Sequence, residues 1–244
     1  MKNLLKSAFT LFAMVGAISV VVGCASTSPA HAKVIHLLNG KDLSAFYPFL
    51  KDFGATNDPD HVFTLTNGVL RISGQHYGYL STKEEFANYR LVAEFRWGGM
   101  TWSPRLTNAC DSGVLVHTVG KDGVWPKAIE AQIIEGGTGD ILVVSGAYLT
   151  VDGVTKGPRI ERFDRPGRNP WQDAKGFRGP HEIEKPTGEW NRMEIVCNGD
   201  KVGITVNGHQ TLAGTNSMPH AGRIVLQSEG AEIFFRRLDL YPLK

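Results

Sequence analysis

The chain has 244 residues, 42% of them hydrophobic and 20% charged, a globular composition long enough for one large β domain or two small ones. Its 26 Lys and Arg against 24 Asp and Glu give a formal net charge of +2, which leaves no electrostatic footprint for a nucleic-acid partner. The 28 glycines imply many turns, hence many short strands.

The N-terminus reads as a leader. Lys2 and Lys6 precede an apolar run from Leu11 to Val22, too short for a membrane-spanning helix. The run ends in Val21-Val22-Gly23-Cys24 and a small polar tract, ASTSPA, which is the pattern of a signal peptide over residues 1–23. Its lipobox-like end resembles that of bacterial lipoproteins. The resemblance implies export, lipidation at Cys24, a tether over residues 24–33, and a place in the cell envelope where the membrane is reached only through the lipid. Ala30-His31-Ala32 is a competing cleavage site that would start the mature chain at Lys33. Removing residues 1–23 removes two lysines and no acid, so the mature chain is electrically balanced. Cys110 and Cys197 then remain. Export permits a disulfide between them, although Cys197, in a strand-like run, also reads as a small buried apolar residue.

From Val34 the pattern is β nearly throughout. IHLLNGKDLSAFYPF gives an apolar run, an Asn-Gly turn and an aromatic cluster. HVFTLTNGVLRISG predicts a hairpin, because Asn67-Gly68 supplies a tight turn. YGYLSTK and YRLVAEFRW follow. In the latter, Tyr89, Leu91, Ala93, Phe95 and Trp97 form a core face, and Arg90, Val92, Glu94 and Arg96 the opposite one. The KEEFAN segment offers at most a helical turn. ILVVSGAYLTVDG adds one or two strands. Residues 153–188 hold five of the twelve prolines and read as a long irregular excursion of the kind that is often functional. EWNRMEIVCNG, DKVGITVNGHQ, GRIVLQSEG and AEIFFRRLDLYPL return to strands, with turns at Asn198-Gly199-Asp200 and Asn207-Gly208. The expected fold is all-β, a single sandwich or barrel over residues 34–244.

Cys110 to Glu135 is the most informative stretch. Two strands, SGVLVHT and KAIEAQIIE, flank a Gly/Trp/Pro loop. With period-two alternation, Asp111, Gly113, Leu115 and His117 share one face, and Ser112, Val114 and Val116 the other. Glu130 and Gln132 oppose the apolar Ile129, Ala131 and Ile133. Neighbouring strands thus each offer an apolar side for a core and a carboxylate, imidazole or amide side for a cleft, with an indole at the rim. That combination suits a carbohydrate.

Several segments together carry a family resemblance: the opening LLNGKDLSAF, the SGVLVH strand, IEAQIIE, and the closing WN…G…NG…LQ…FR series. From Ile35 to Leu243 the chain resembles the 3-keto-disaccharide hydrolases. The resemblance implies a concanavalin A-like jelly roll, related in fold to laminarinase-like glycoside hydrolases, acting on glycosides already oxidised at C3. Asp111 and His117 stand where many members carry Asn and Arg.

A ketone at C3 acidifies the C2 proton, and loss of that proton expels the aglycone from C1. The reaction needs a base, an acid at the glycosidic oxygen and a donor for the enolate. His117 is the expected base, since its ordinary pKa of about 6.5 suits proton transfer. Glu130 and Glu135 are the other catalytic candidates. Glu135 reaches the cleft only if a bulge at residues 133–135 turns it there. E-x-Q-x-x-E then resembles the E-x-D-x-x-E of laminarinase-like enzymes, with Gln132 replacing a carboxylate. Substrate contacts are expected from Gln132, Trp125 as a stacking platform, Lys127, Asp111, Tyr79 and His181. Each has a plainer reading: solvated carboxylates, a structural histidine, a core aromatic, a turn residue at Asp140. No cofactor is expected. No contiguous oxygen-ligand loop marks a calcium site, although such jelly rolls often carry structural calcium. A glycan-capturing module and a conventional glycoside hydrolase are the competing functions. His117 and Glu130 on opposite surfaces would overturn the enzymatic expectation and leave glycan capture or a purely structural role as the better reading.

Overall fold

The computed structural model describes residues 33–243. The predicted leader, Cys24 and almost all of the tether lie outside the described residues. Strands in chain order are β1 (Ile35–His36), β2 (Phe46–Leu50), β3 (Gly54–Ala55), β4 (Phe63–Thr66), β5 (Val69–Ile72) and β6 (Gly78–Thr82). There follow β7 (Tyr89–Thr101), β8 (Asp111–Val119), β9 (Lys127–Ile134), β10 (Ile141–Val144), β11 (Tyr148–Val151) and β12 (Val154–Lys156). The last six are β13 (Glu161–Phe163), β14 (Asn191–Asn198), β15 (Lys201–Val206), β16 (His209–Met218), β17 (Arg223–Ser228) and β18 (Ala231–Pro242). Among the described residues there is no helix, and KEEFAN forms none.

The strands form two antiparallel sheets. One runs β12-β11-β16-β15-β14-β7-β18-β5-β4, with β1 added to β18; the other runs β13-β10-β9-β8-β17-β6-β2-β3. This is a sandwich, one of the two architectures the strand pattern allows, and the jelly roll that the resemblance implies. The hairpin turns fall where Asn-Gly pairs demand them. Asn67 and Gly68 take φ of 51° and 76° between β4 and β5, and Asn207 and Gly208 take 50° and 87° between β15 and β16. Such paired positive values match the right-handed twist of the flanking strands.

Alternation builds the core. Tyr89, Leu91, Ala93, Phe95 and Trp97 of β7 pack inward, facing Val114 and Val116 of β8, Ile129 and Ile133 of β9, and Leu226 of β17. On the outer face of β7, Arg90 pairs with Glu194 at 2.6 Å and Glu94 with Arg236 at 2.7 Å. Val92 lies on that outer face yet is fully buried; the stems of long charged side chains can shelter an apolar residue in this way. Cys110 and Cys197 are both buried and unbridged.

The excursion over residues 153–188 is more ordered than its composition suggests. It contributes β12 and β13, and the rest packs on the ends of β8 to β10. Asp140, fully buried, accepts a hydrogen bond from the backbone N–H of Arg165 at 2.8 Å. It also pairs with Arg168 at 2.6 Å and Arg162 at 3.3 Å. The Trp171 indole N–H donates to the Glu135 carbonyl at 2.9 Å. One buried carboxylate thus gathers three arginines of the excursion.

Candidate active site

The eight-stranded sheet turns one face to the core and the other to a cleft. Register fixes what the cleft face carries. Glu130 pairs with Leu115 and Leu142, Gln132 with Gly113, Leu142 with Arg162, and Gln227 with Tyr79. Paired residues share a face. Asp111, Glu130, Gln132, Leu142, Val144, Arg162 and Gln227 therefore converge, joined by Arg105, Trp125, Ile160 and Glu229, around a cavity of about 200 Å³. That is below the roughly 300–1,000 Å³ of drug-sized sites and suits one sugar ring.

Gly113 makes the arrangement possible. A Cβ built there would lie 2.4 Å from Gln227 Oε1 and 2.5 Å from Glu130 Oε1. Two polar side chains from flanking strands meet over the bare backbone of the strand between them. Gln132 donates its amide N–H to Asp111, and Arg105 forms an ion pair with the same carboxylate. Arg105 also reaches Glu229 at 3.4 Å. Gln132 Oε1 and Gln227 Oε1 are buried without a hydrogen-bond partner. Such atoms cost free energy unless a ligand or water satisfies them.

The carboxyls differ in proton affinity. Burial pushes Asp111 up to about 6, opposed by Arg105. Burial pushes Glu229 up to about 8, with nearby Asp111 adding to the rise. Burial holds Glu130 well above the usual carboxylate range, and Glu229 and Asp111 push the same way. Burial and mutual repulsion thus favour the protonated forms of Glu130 and Glu229, while Arg105 opposes the rise at Asp111. Arg105 and Arg162 bring two guanidiniums to the same lining.

The loop between β8 and β9 folds back over this face. Tyr79 and Tyr47 donate their hydroxyls to Asp122 at 2.7 and 2.8 Å, and Arg223 lies 3.6 Å from the same carboxylate. This anchor holds Trp125 over the cavity, its ring edge-on to Tyr77 at 6.1 Å.

Of the residues singled out in the sequence, Asp111, Glu130, Gln132 and Trp125 line the cavity. The others do not. His117 is the largest correction. The β8–β9 register shifts between Val116 and Val119, and His117 takes a left-handed φ of 56°. This bulge breaks the alternation and turns the imidazole toward the core, edge-on to Tyr89 at 6.2 Å, with Nδ1 on the Pro219 carbonyl at 3.2 Å. Burial lowers its pKa to about 4. His117 and Glu130 thus occupy opposite faces, and His117 cannot be the base.

The bulge expected at residues 133–135 is absent, because β9 holds register with β8 through Ile134. Glu135 instead accepts hydrogen bonds from the Cys110 and Gly176 backbone N–H groups, both at 2.9 Å, and fastens the excursion to the sheet. Tyr79 faces the cleft but lies beneath the loop, fully buried and bound to Asp122, so it positions that loop. Lys127 shares the core-side parity of Ile129 at the start of β9, outside the cavity lining. His181 lines a separate hollow with Arg165 and His209.

Sequence reasoning missed Arg105, Arg162, Gln227 and Glu229. Gln227 carries a period-two signal in RIVLQS, since Val225 and Gln227 alternate with core residues Ile224 and Leu226. Arg105 and Glu229 lie in loops and Arg162 in the irregular excursion, where no periodicity marks a face. Among the described residues, no group of three or more His, Cys, Asp or Glu is placed to hold a metal ion.

Residues 33–240 match the model of the 3-keto-alpha-glucoside-1,2-lyase-like domain. The chain belongs to this family. No curated protein matches the sequence. Among solved structures, a candidate glycosyl hydrolase from Parabacteroides distasonis is similar at 20% identity and a TM-score of 0.55, over 87% of this chain and 100% of that one. A second from the same organism shares 17% identity and a TM-score of 0.55, over 86% and 94%. LamAcat from Zobellia galactanivorans shares 9% identity and a TM-score of 0.51, over 86% and 97%. At these identities the likeness establishes the jelly-roll fold.

Proposed function

We propose that this member of the lyase-like family cleaves 3-keto-glycosides by elimination in the cavity bounded by Asp111, Glu130 and Glu229. The observation that carries the reading is the convergence of three carboxyls of graded proton affinity with two guanidiniums and two unpartnered amide oxygens on one cleft face. The separation of His117 from Glu130 overturns the proton-transfer pair expected from sequence, and on that pair alone a glycan-capturing or purely structural role would be the better reading. Glu229 supplies a replacement on the correct face, so the enzymatic reading stands on a different pair.

Glu229, at about 8, is the general base. A group near the operating pH is the most effective proton acceptor. It removes the C2 proton, and the electrons pass into the C3 carbonyl to give an enolate. Arg105, in contact with Glu229 at 3.4 Å, is placed to stabilise that oxygen. The enolate re-forms the ketone, C1=C2 forms, and the C1–O bond breaks. Glu130, still protonated, delivers its proton to the departing oxygen. The products are the free aglycone and an unsaturated 3-keto sugar, to which water can add at C1. The Arg105 and Arg162 guanidiniums favour the anionic enolate over the neutral ground state, which is the condition for catalysis.

The test is aglycone release from a panel of 3-keto-glucosides. Wild-type protein is expected to turn over at least one, and Glu130→Gln and Glu229→Gln each to lose about 10²–10⁴-fold in kcat. Stoichiometric binding without turnover by wild-type protein would instead establish a glycan-capturing module.

A further inference from the structure

The cavity is chemically divided. On one side lie Asp111, Gln132, Gln227, Glu229 and Arg105, all polar. On the other lie Leu142 and Val144 of β10 and Ile160 from the excursion, with Arg162, the register partner of Leu142, at their edge. Ile160 is 52% exposed, a large apolar side chain left open at the cavity rim. Glu130 stands on the boundary. Across one flank its cross-strand partner is Leu142, and across the other its carboxyl meets Gln227 over Gly113.

We infer that the leaving group is an apolar or aromatic alcohol rather than a second sugar, with the 3-keto ring on the polar side and the aglycone against Leu142, Val144 and Ile160. This inference rests on the elimination reading and sharpens it. The acid must reach the glycosidic oxygen, which is the junction between glycone and aglycone. Glu130 occupies the junction between the polar and apolar halves. With the acid at that point, the aglycone falls on the apolar side. A second sugar there would set several hydroxyls against three side chains that offer no hydrogen bond, beside an Arg162 guanidinium already paired with Asp140, and each unpaired polar group carries a desolvation penalty. The wall is also held in place. Arg162, three residues before Arg165 on the same segment, pairs with buried Asp140 at 3.3 Å, and the Gly157 backbone N–H donates to Glu161 at 2.8 Å. These contacts bracket Ile160 at the rim.

The test compares two 3-keto-glucosides, each in both anomers: one with cyclohexylmethanol as aglycone, the other with glucose joined through its primary hydroxyl. Both leave as primary alcohols, so intrinsic leaving ability is closely matched. The apolar aglycone is expected to show about tenfold or greater kcat/KM, the discrimination that burial of a small apolar group supplies. Ile160→Ser, at an exposed position with little bearing on folding, is expected to shrink that ratio several-fold. Equal or better turnover of the disaccharide would overturn the aglycone assignment while leaving the elimination chemistry intact. An unchanged ratio in Ile160→Ser would overturn it likewise. Turnover of neither compound would overturn the elimination reading and, with it, this one.

Discussion

Gly113→Ala separates catalysis from stability in a single methyl group. The added Cβ would sit 2.4 Å from Gln227 Oε1 and 2.5 Å from Glu130 Oε1. An ordinary non-bonded contact is about 3.5 Å, so each side chain must retreat by about 1 Å. Both atoms are the far ends of side chains rather than backbone, and the strand can hold its register. A misplacement of about 1 Å at a reacting group costs about 10²-fold, equivalent to about 2.7 kcal/mol of barrier. Removing a mid-strand glycine itself favours folding by about 0.5–1 kcal/mol, offsetting whatever strain the displaced ends carry. The expected result is a kcat reduced about 10²-fold in a protein whose thermal midpoint stays close to wild type. The assay pairs release of a chromogenic aglycone from a 3-keto-glucoside with a thermal melt. Wild-type kcat in a folded Gly113→Ala protein would refute the placement of Glu130 at the reaction centre.

Further outcomes follow from the same geometry. With Glu229 as base, its proton must be lost, so kcat/KM is expected to rise as pH climbs through about 8. A profile flat from pH 6 to 9 would contradict that base. His117→Ala is expected to keep turnover while losing about 1–3 kcal/mol of stability from a buried, hydrogen-bonded site; denaturant melts and kcat together decide this, and abolished activity in a folded variant would restore the histidine to the mechanism. Tyr79→Phe removes one anchor of Asp122 and is expected to raise KM more than it lowers kcat, since it acts through the loop that carries Trp125. For the exported, lipid-anchored form proposed from the leader, intact mass should show an acylated N-terminus at Cys24, whereas a mature chain starting at Lys33 would rule it out.

The fold was legible because its signals are local. Asn67-Gly68 and Asn207-Gly208 mark hairpins by backbone geometry alone, and Tyr89 to Trp97 alternates cleanly into the core. The site was only half legible, for a reason that period-two reading cannot detect. Alternation placed Asp111, Glu130 and Gln132 correctly because β8 and β9 hold register over residues 111–116. It failed at His117, where one bulged residue moves a side chain to the other face. A bulge at residues 133–135, the condition for Glu135 to reach the cleft, leaves no trace in local alternation, and β9 keeps its register with β8 through Ile134. Glu229 and Arg105 come from loops whose placement depends on contacts far away in sequence, such as Arg105 with Glu229 across 124 residues. Arg162 depends on Asp140, a residue that in isolation reads as a turn.

The most direct measurement of the central claim is turnover of a 3-keto-glucoside in deuterium oxide, with the isotope located in the hydrated product by NMR. Deprotonation at C2 by Glu229, with exchange of the abstracted proton before water adds, predicts deuterium at C2. A product that keeps its original C2 proton, together with no primary isotope effect on a C2-deuterated substrate, would show that the C1–O bond breaks without C2 deprotonation, and would contradict the chemistry assigned to Glu229 and Glu130.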